Sequence, residues 1–326
     1  MSKPKILSTR ELFPAARDIL NKHFEVDYGK PGEQISRSEL LKRVADKEGL
    51  VCLLTEKVDE ELLAAAPKLR IAATVSVGFD HIDVAACTKH KVIATNTPGV
   101  LDDTTADFAW ALLMAIARRL LEGDETMRAG AWPGWDFDQL LGGDVWGKTL
   151  GIIGFGRIGR GVAQRAQGFH MRVLYSDAVR APADVEKELH AEFVDRDRLF
   201  RESDFISLHV PLLPDTRHLI SKDNLDKMKR TAYLINTSRG PVVDEAALAD
   251  ALQQKKIAGA ALDVTDPEPL PDGHALWGFR NCVITPHTAD TVEMVRPLLA
   301  ERIRTNVARF AASESLVGLV DPEAGY

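Results

Sequence analysis

Three polar residues close three apolar runs in the second half of the chain: Arg239 after "AYLINTS", Glu268 after "GAALDVTDP" and His287 after "CVITP". A guanidinium cannot shed its charge and is rarely buried without a partner, so an arginine at a strand exit marks a place where an anion is met. If that anion is a 2-oxo acid, the three side chains divide the work of reducing it. Arg239 grips the carboxylate with two parallel hydrogen bonds, which also fixes the adjoining carbonyl. His287, with an imidazole that titrates near neutrality, gives the carbonyl oxygen its proton. Glu268 holds the other ring nitrogen, setting the tautomer and favouring the imidazolium. Singly, each has an ordinary reading as a solvated loop charge or a packed surface histidine. It is the ordered set that points to chemistry.

A donor of hydride is written further upstream. Residues 150–161 read "LGIIGFGRIGRG", with Gly154, Gly156 and Gly159 in G-x-G-x-x-G spacing between an apolar strand and a helical pattern. The first glycine permits the tight turn, the second lets backbone approach a pyrophosphate, and the third lets helix and strand pack closely. The phosphates would meet the free N–H groups of a helix starting near Arg157 and Ile158. The next strand, "RVLYSD", ends in Asp177, eighteen residues past Gly159. A carboxylate there accepts from the adenosine ribose hydroxyls and repels a 2′-phosphate, so NAD is expected over NADP; Arg180 close by argues the other way. Ligands of open parallel sheets collect at the carboxyl ends of the strands, which brings Arg239, Glu268 and His287 to the cofactor's edge.

The elements that must position these groups follow a βαβ rhythm. "KILST", "GLVCLLT", "IAATVS" and "KVIATNT" read as strands in the first hundred residues, with helical spacing at residues 59–66 and 82–90. After "NTPGVLDD", the stretch "TTADFAWALLMAIARRLLEGDETMRAG" predicts one long helix with Asp102, Asp103 and Thr104 at its start. A tryptophan-rich loop follows. A second series then runs through "KTLGIIG", "RVLYSD", "FISLHVPL", "AYLINTS", "GAALDV" and "CVITPH". The tail predicts one or two helices, kinked or restarted at Pro297. Two doubly wound parallel-sheet domains of α/β class are expected.

The 326 residues exceed what one core usually serves, and 45% hydrophobic with 27% charged residues is ordinary for a globular protein. A net charge of -7 offers no basic patch for nucleic acid or an anionic membrane. Cys52, Cys87 and Cys282 are odd in number, widely spaced and set in apolar runs. They read as reduced core thiols rather than as a disulfide framework or a metal site. No signal peptide and no membrane span is read, so a cytoplasmic location is expected.

These stretches together resemble the D-isomer-specific 2-hydroxyacid dehydrogenases over essentially the full length. The motifs that carry the resemblance are "VSVGFDHIDV", "NTPG", "LINTSRGPVVDEAAL", "GAALDVTDPEPLP" and "VITPH". Within the family, "GLVCLLTEKVDEELLAAAPKL", "TPGVLDDTTADFA" and "LDVTDPEPLP" are most similar to the glyoxylate/hydroxypyruvate reductases. The resemblance implies a flavodoxin-like substrate domain, residues 1–101 plus 290–326, with an inserted Rossmann NAD-binding domain, residues 102–289. It implies Arg239, Glu268 and His287 as the catalytic set. Leu54 and the backbone N–H groups of Val77 and Gly78 would bind substrate. Thr105, Arg157, Ile158, Asp177, Val210, Pro211, Thr216, Thr237, Arg239 and Asp263 would line the cofactor, with Asp263 on the nicotinamide amide. The long helix and tryptophan loop would form a homodimer, in which Trp135 either reaches the partner's active site or, with Trp132 and Trp146, fills the interface.

Two departures from the family pattern stand out. "HTADTVEM" places Asp290 where small residues are usual; it either disfavours di-acid substrates or caps the following helix, the cap being the preferred reading. Asp177 stands where NADP-using relatives carry a polar or basic turn. The expected activity is NADH-dependent reduction of a small 2-oxo acid of the glyoxylate or hydroxypyruvate type to the D-2-hydroxy acid. The alternatives are a broader 2-ketoacid or 2-ketogluconate reductase and a non-catalytic NAD(H)-sensing, corepressor-like protein, which the same fold also hosts.

Overall fold

A computed structural model describes residues 3–291, 298, 299, 301, 302, 305, 306 and 318–320, and the statements below concern these. The chain divides into two units, Met1–Leu101 with Thr291–Tyr326, and Asp102–Asp290.

In the first unit, strands β1 (Lys5–Ser8), β2 (Glu25–Tyr28), β3 (Gly49–Cys52), β4 (Ile71–Thr74) and β5 (Ile93–Thr95) form one parallel sheet. Helices α1 (Pro14–His23), α2 (Arg37–Val44), α3 (Glu60–Ala65) and α4 (Val84–Lys89) connect them. The order β2-β1-β3-β4-β5 is the flavodoxin-like one. Ser36, Asp59 and Asp83 cap α2, α3 and α4, each accepting a backbone N–H three residues on. Strand β3 is buried throughout, as a strand covered on both faces must be. Strand β2 goes beyond the four strands legible in the sequence. It is an edge strand of four residues, "EVDY", none of them fully buried, so it carries no apolar run.

The second unit opens with α5 (Asp102–Ala117) and α6 (Leu120–Arg128). The single long helix predicted from the apolar spacing is therefore two. The returning chain ends the first: Gly143 N–H donates to Ala117 O at 2.8 Å, taking a carbonyl that a continuing helix would use. Arg119 then adopts a left-handed φ of 52°. The apolar pattern runs on through Leu120 and Leu121, but both are exposed.

Seven parallel strands follow: β6 (Thr149–Ile153), β7 (Arg172–Ser176), β8 (Ala191–Phe193), β9 (Phe205–Leu208), β10 (Tyr233–Asn236), β11 (Gly259–Leu262) and β12 (Cys282–Ile284). Helices α7 (Arg157–Gln167), α8 (Ala183–Leu189), α9 (Arg196–Glu202), α10 (Lys222–Leu225) and α11 (Glu245–Gln253) cover them. The order β12-β11-β10-β9-β6-β7-β8 reverses direction between β6 and β9, the crevice where doubly wound sheets bind dinucleotides. Leu234 and Ile235 are fully buried; side chains of this size contribute roughly 1.5–3 kcal/mol each on burial. All strands being parallel, the residues after β6, β7, β9, β10, β11 and β12 lie along one edge of the sheet.

The tail helices, the restart at Pro297 and the C-terminal helix expected to complete the first unit lie largely outside the described residues. Asp290 sits in a turn, and the helix start it was expected to cap lies outside them too. No described helix is long and apolar enough to cross a membrane.

Candidate active site

The three glycines after β6 differ in what surrounds them. Gly154 has φ +93°, and a Cβ there would stand 2.5 Å from His209 O. A Cβ on Gly159 would stand 2.1 Å from Gly154 O, so α7 can close onto the turn only with hydrogen at that position. Gly156 has nothing within 4 Å of its Cβ position, leaving open space at the N-terminus of α7. One glycine allows the turn, one allows packing, and one leaves room for a ligand. That is the arrangement a pyrophosphate needs.

Other residues expected to line the cofactor are placed as follows. Thr105 Oγ1 and Thr237 Oγ1 are buried without a hydrogen-bond partner among the described residues, and a buried hydroxyl in that state calls for a partner from outside. Asp177 follows β7 and is fixed by the turn itself, with Oδ2 accepting Phe155 N–H at 2.5 Å and Oδ1 accepting Val179 N–H at 3.4 Å. Val210 and Pro211 follow β9. Thr216 braces their loop, donating to Pro211 O at 2.5 Å and accepting Leu213 N–H at 2.8 Å. Arg157 opens α7, exposed and 4.0 Å from Asp102, with half-buried Ile158 behind it.

Arg239, Glu268 and His287 are brought together by loops that touch backbone to backbone. Asn236, the last residue of β10, shapes the first loop: its Oδ1 accepts Ser238 N–H and Oγ–H, and its Nδ2 donates to Arg239 O at 2.9 Å. Arg239 Nη1 donates to Ser238 O at 2.8 Å. Gly240 then presses on the chain after β11, where a Cβ would lie 2.0 Å from Thr265 O. From that chain Glu268 turns back. Its Oε1 accepts Thr265 N–H at 3.1 Å, and its Oε2 lies 3.0 Å from His287 Nδ1.

The pair is electrostatically coupled. The hydrogen bond to Glu268 raises the His287 imidazole above its ordinary value, against the opposing effect of burial. Burial alone would raise the Glu268 carboxyl; the His287 hydrogen bond and charge, with the Thr265 N–H and the Arg239 charge, bring it below the usual range. Nε2 of His287 is the ring nitrogen left for chemistry.

His287 itself has φ +52°, a left-handed conformation that costs a residue with a side chain roughly 1–2 kcal/mol. Asp263, at the end of β11, holds it there. Asp263 O accepts His287 N–H at 2.8 Å; Oδ1 accepts Thr288 N–H at 2.9 Å and Thr285 Oγ1–H at 2.6 Å; Oδ2 accepts Ala289 N–H at 2.8 Å. Asp263 is 1% exposed. Thr288 Oγ1 lies a further 3.5 Å from Oδ1, so the direction left open is the second lone pair of Oδ2.

In the first unit, Val77 and Gly78 lie in the loop after β4. Asn96 Nδ2 donates to Val77 O at 2.7 Å. An amide N–H points opposite its carbonyl, so Gly78 N–H faces away from Asn96. Thr74, Ser76 and His81 continue the brace through Ser76 Oγ–H to Gly78 O at 2.7 Å. Half-buried Leu54 sits in the turn after β3, whose shape comes from buried Glu56: Oε2 accepts Leu53 N–H and Thr9 Oγ1–H.

Trp135 is 75% exposed and packs edge-on against Phe137, also exposed, at 4.9 Å between ring centroids. Trp132, Leu141 and Trp146 are exposed as well. The loop thus carries much apolar surface that its own unit does not cover.

Several residues that shape these loops, each within its own unit, escape a reading of the sequence. Asn96 and Glu56 act over long separations. Glu245 follows the N-cap Asp244 and reads as an ordinary first-turn acid. It is in fact buried: Oε1 accepts Asp266 N–H at 2.8 Å, and Oε2 has no hydrogen-bond partner among the described residues, with His274 Nε2 3.6 Å away. Burial lifts its carboxyl to about 7, with the charges of Asp266 and Glu268 adding to the rise. Nothing in "VVDEAAL" signals that.

A glycine turn at the switch point of a doubly wound sheet, beside a histidine–carboxylate pair and an arginine, defines a dinucleotide-dependent oxidoreductase. Comparison with known proteins narrows the class. Residues 110–289 match the model of the D-isomer specific 2-hydroxyacid dehydrogenase NAD binding domain. A glyoxylate reductase of Korarchaeum cryptofilum is 48% identical over 322 residues, 98% of this chain and 97% of that one. A solved structure from Thermus thermophilus superposes with a TM-score of 0.90 at 40% identity, covering 97% of this chain and 100% of that one. The NADPH-dependent glyoxylate/hydroxypyruvate reductase of Sinorhizobium meliloti, solved with NADP and malonate, gives a TM-score of 0.84 at 29% identity over 98% and 97% of the two chains. The chain belongs to the D-isomer-specific 2-hydroxyacid dehydrogenases and is an oxidoreductase with an NAD-binding domain.

Proposed function

We propose that this protein reduces a short 2-oxo acid of the glyoxylate or hydroxypyruvate type to the D-2-hydroxy acid, using NADH. The observation that carries the reading is the 3.0 Å contact between His287 Nδ1 and Glu268 Oε2, on the sheet edge that also holds the glycine turn. Glu268 accepts a hydrogen bond from Nδ1–H, which leaves the Nε2–H of the imidazolium as the donor to the substrate's carbonyl oxygen. Arg239 holds the substrate's carboxylate. In the first unit, Gly78 N–H, which faces away from Asn96, is suited to an anion. Bound NADH supplies the hydride. Thr105 and Thr237 would satisfy their hydroxyls on the cofactor, and Asp263 keeps one acceptor direction for the nicotinamide amide.

Asp177 supports NADH over NADPH, because its carboxylate suits ribose hydroxyls and repels a 2′-phosphate. The exposed aromatic loop around Trp135 supports a homodimer, in which its apolar surface would be covered. Three free cysteines suit a reducing, cytoplasmic setting.

The test is oxidation of NADH and NADPH against glyoxylate, hydroxypyruvate, pyruvate, 2-ketogluconate and a branched 2-oxo acid. Fastest turnover is expected with NADH and one of the first two. In the same assay His287→Ala is expected to lower kcat about 10²- to 10⁴-fold with NADH affinity within about twofold of wild type. Tight NADH binding with no turnover of any substrate would favour a sensor instead.

A further inference from the structure

Arg180 stands three residues past Asp177, in the segment after β7 where a guanidinium ordinarily receives the adenosine 2′-phosphate of NADPH. It is the only lysine or arginine among residues 177–182. By position alone it would oppose Asp177 in the choice of cofactor. Its contacts say otherwise. Nε donates to Glu186 Oε1 and Nη2 to Glu186 Oε2, both at 2.9 Å, in the parallel two-bond geometry that suits a guanidinium and a carboxylate.

Glu186, on α8, is itself fixed. Tyr175 Oη donates to its Oε1 at 2.5 Å, and Ala181 N–H donates to Tyr175 Oη at 2.9 Å. Tyr175 is fully buried and stacks on Phe155, the residue between the first two glycines of the turn. Arg180 also lies 5.8 Å over the Phe193 ring. Glu186 is 13% exposed where Arg180 is 65% exposed, so the carboxylate is the anchored partner and the arginine the captured one. Hydrogen bonds from Arg180 first and Tyr175 second draw the Glu186 carboxyl down to about 2, so it stays ionised across the physiological range.

We propose that Glu186 is a cofactor-specificity residue: held by Tyr175, it captures Arg180 in a two-bond ion pair and withdraws that cation from the 2′-phosphate of NADPH. Asp177 and Glu186 then discriminate by different means, one by repelling the phosphate and the other by disarming the group that would attract it. This rests on the NADH reading above.

The experiment is titration calorimetry of NADH and NADPH into the wild-type protein, Glu186→Gln, Arg180→Ala and the double variant. Glu186→Gln is expected to tighten NADPH about fivefold, the scale of an exposed ion pair, and to leave NADH within about twofold. Arg180→Ala alone should leave NADPH affinity within about twofold, since its cation is already engaged. The double variant should lose the gain, as coupling between the two sites requires. Glu186→Asp, which keeps the charge but shortens the reach, should give a smaller gain and serves if Glu186→Gln does not fold. Unchanged NADPH affinity in both Glu186 variants, or a gain that survives removal of Arg180, overturns the proposal. A wild-type protein that prefers NADPH overturns the NADH reading instead, while the effect of Glu186 on NADPH is still read from the variants.

Discussion

Two turns at the same sheet edge place their backbones in left-handed conformations, by opposite means. Gly154 takes φ +93° with no side chain to oppose it, and the turn around it is shaped by hydrogen atoms where Cβ atoms would clash. His287 takes φ +52° with an imidazole attached, and needs hydrogen bonds accepted by Asp263, twenty-four residues earlier, to stay there. The glycine turn is therefore written locally, and the histidine turn is written in its neighbours. A backbone that must approach a phosphate gains from having nothing in the way. A side chain that must deliver a proton gains from being held by several partners at once.

The largest effect should come from removing what holds the second turn. Asp263→Ala strands the N–H groups of Thr288 and Ala289, and is expected to lower stability by roughly 3 kcal/mol and kcat by about 10²-fold. Thermal unfolding and steady-state kinetics check both; a variant with wild-type melting and turnover would mean the turn holds itself. Next come the glycines. Gly159→Ala pushes a Cβ onto Gly154 O and should cost roughly 1–3 kcal/mol of stability. Gly156→Ala points its Cβ into open space, so melting should be unchanged while NADH binding weakens about tenfold. Equal loss of stability in both variants would erase the distinction between packing and ligand space.

The smallest effect should be one of pH. In the proposed reduction the protonated His287 is the donor, and Glu268 is the chief cause of its raised pKa. In the wild-type protein kcat/KM should fall as pH rises through that raised value. In Glu268→Gln the fall should begin at lower pH, with a smaller change on the acid side. A falling limb at the same pH in both proteins would remove Glu268 from the coupling.

These contrasts explain what can be read from the amino-acid sequence. The glycine spacing, the acid after the next strand and the arginine, glutamate and histidine at strand exits are local patterns, and the structure brings them to one edge. Strand β2 and the short edge strand β8 are not legible because neither is an apolar run. The break at Arg119 is hidden for a different reason: the apolar spacing continues through Leu120 and Leu121, while the group that ends α5 is Gly143, far along the chain. Asp263 is legible as a polar strand end, but not as the clamp on the His287 turn. Glu245 is silent altogether, since its burial is decided by the Asp266 loop that folds over it.

At that buried acid, folding is coupled to uptake of a proton. In the unfolded chain Glu245 releases its proton near the ordinary 4.5, whereas the fold retains it to about 7. Between those values the native state binds more protons at this position than the unfolded one, so this residue's contribution to stability declines as pH rises through the window. Above it, a further negative charge joins those of Asp266 and Glu268 beneath the loop that carries Glu268. Glu245 thereby links the ionisation beneath that loop to the stability of the fold.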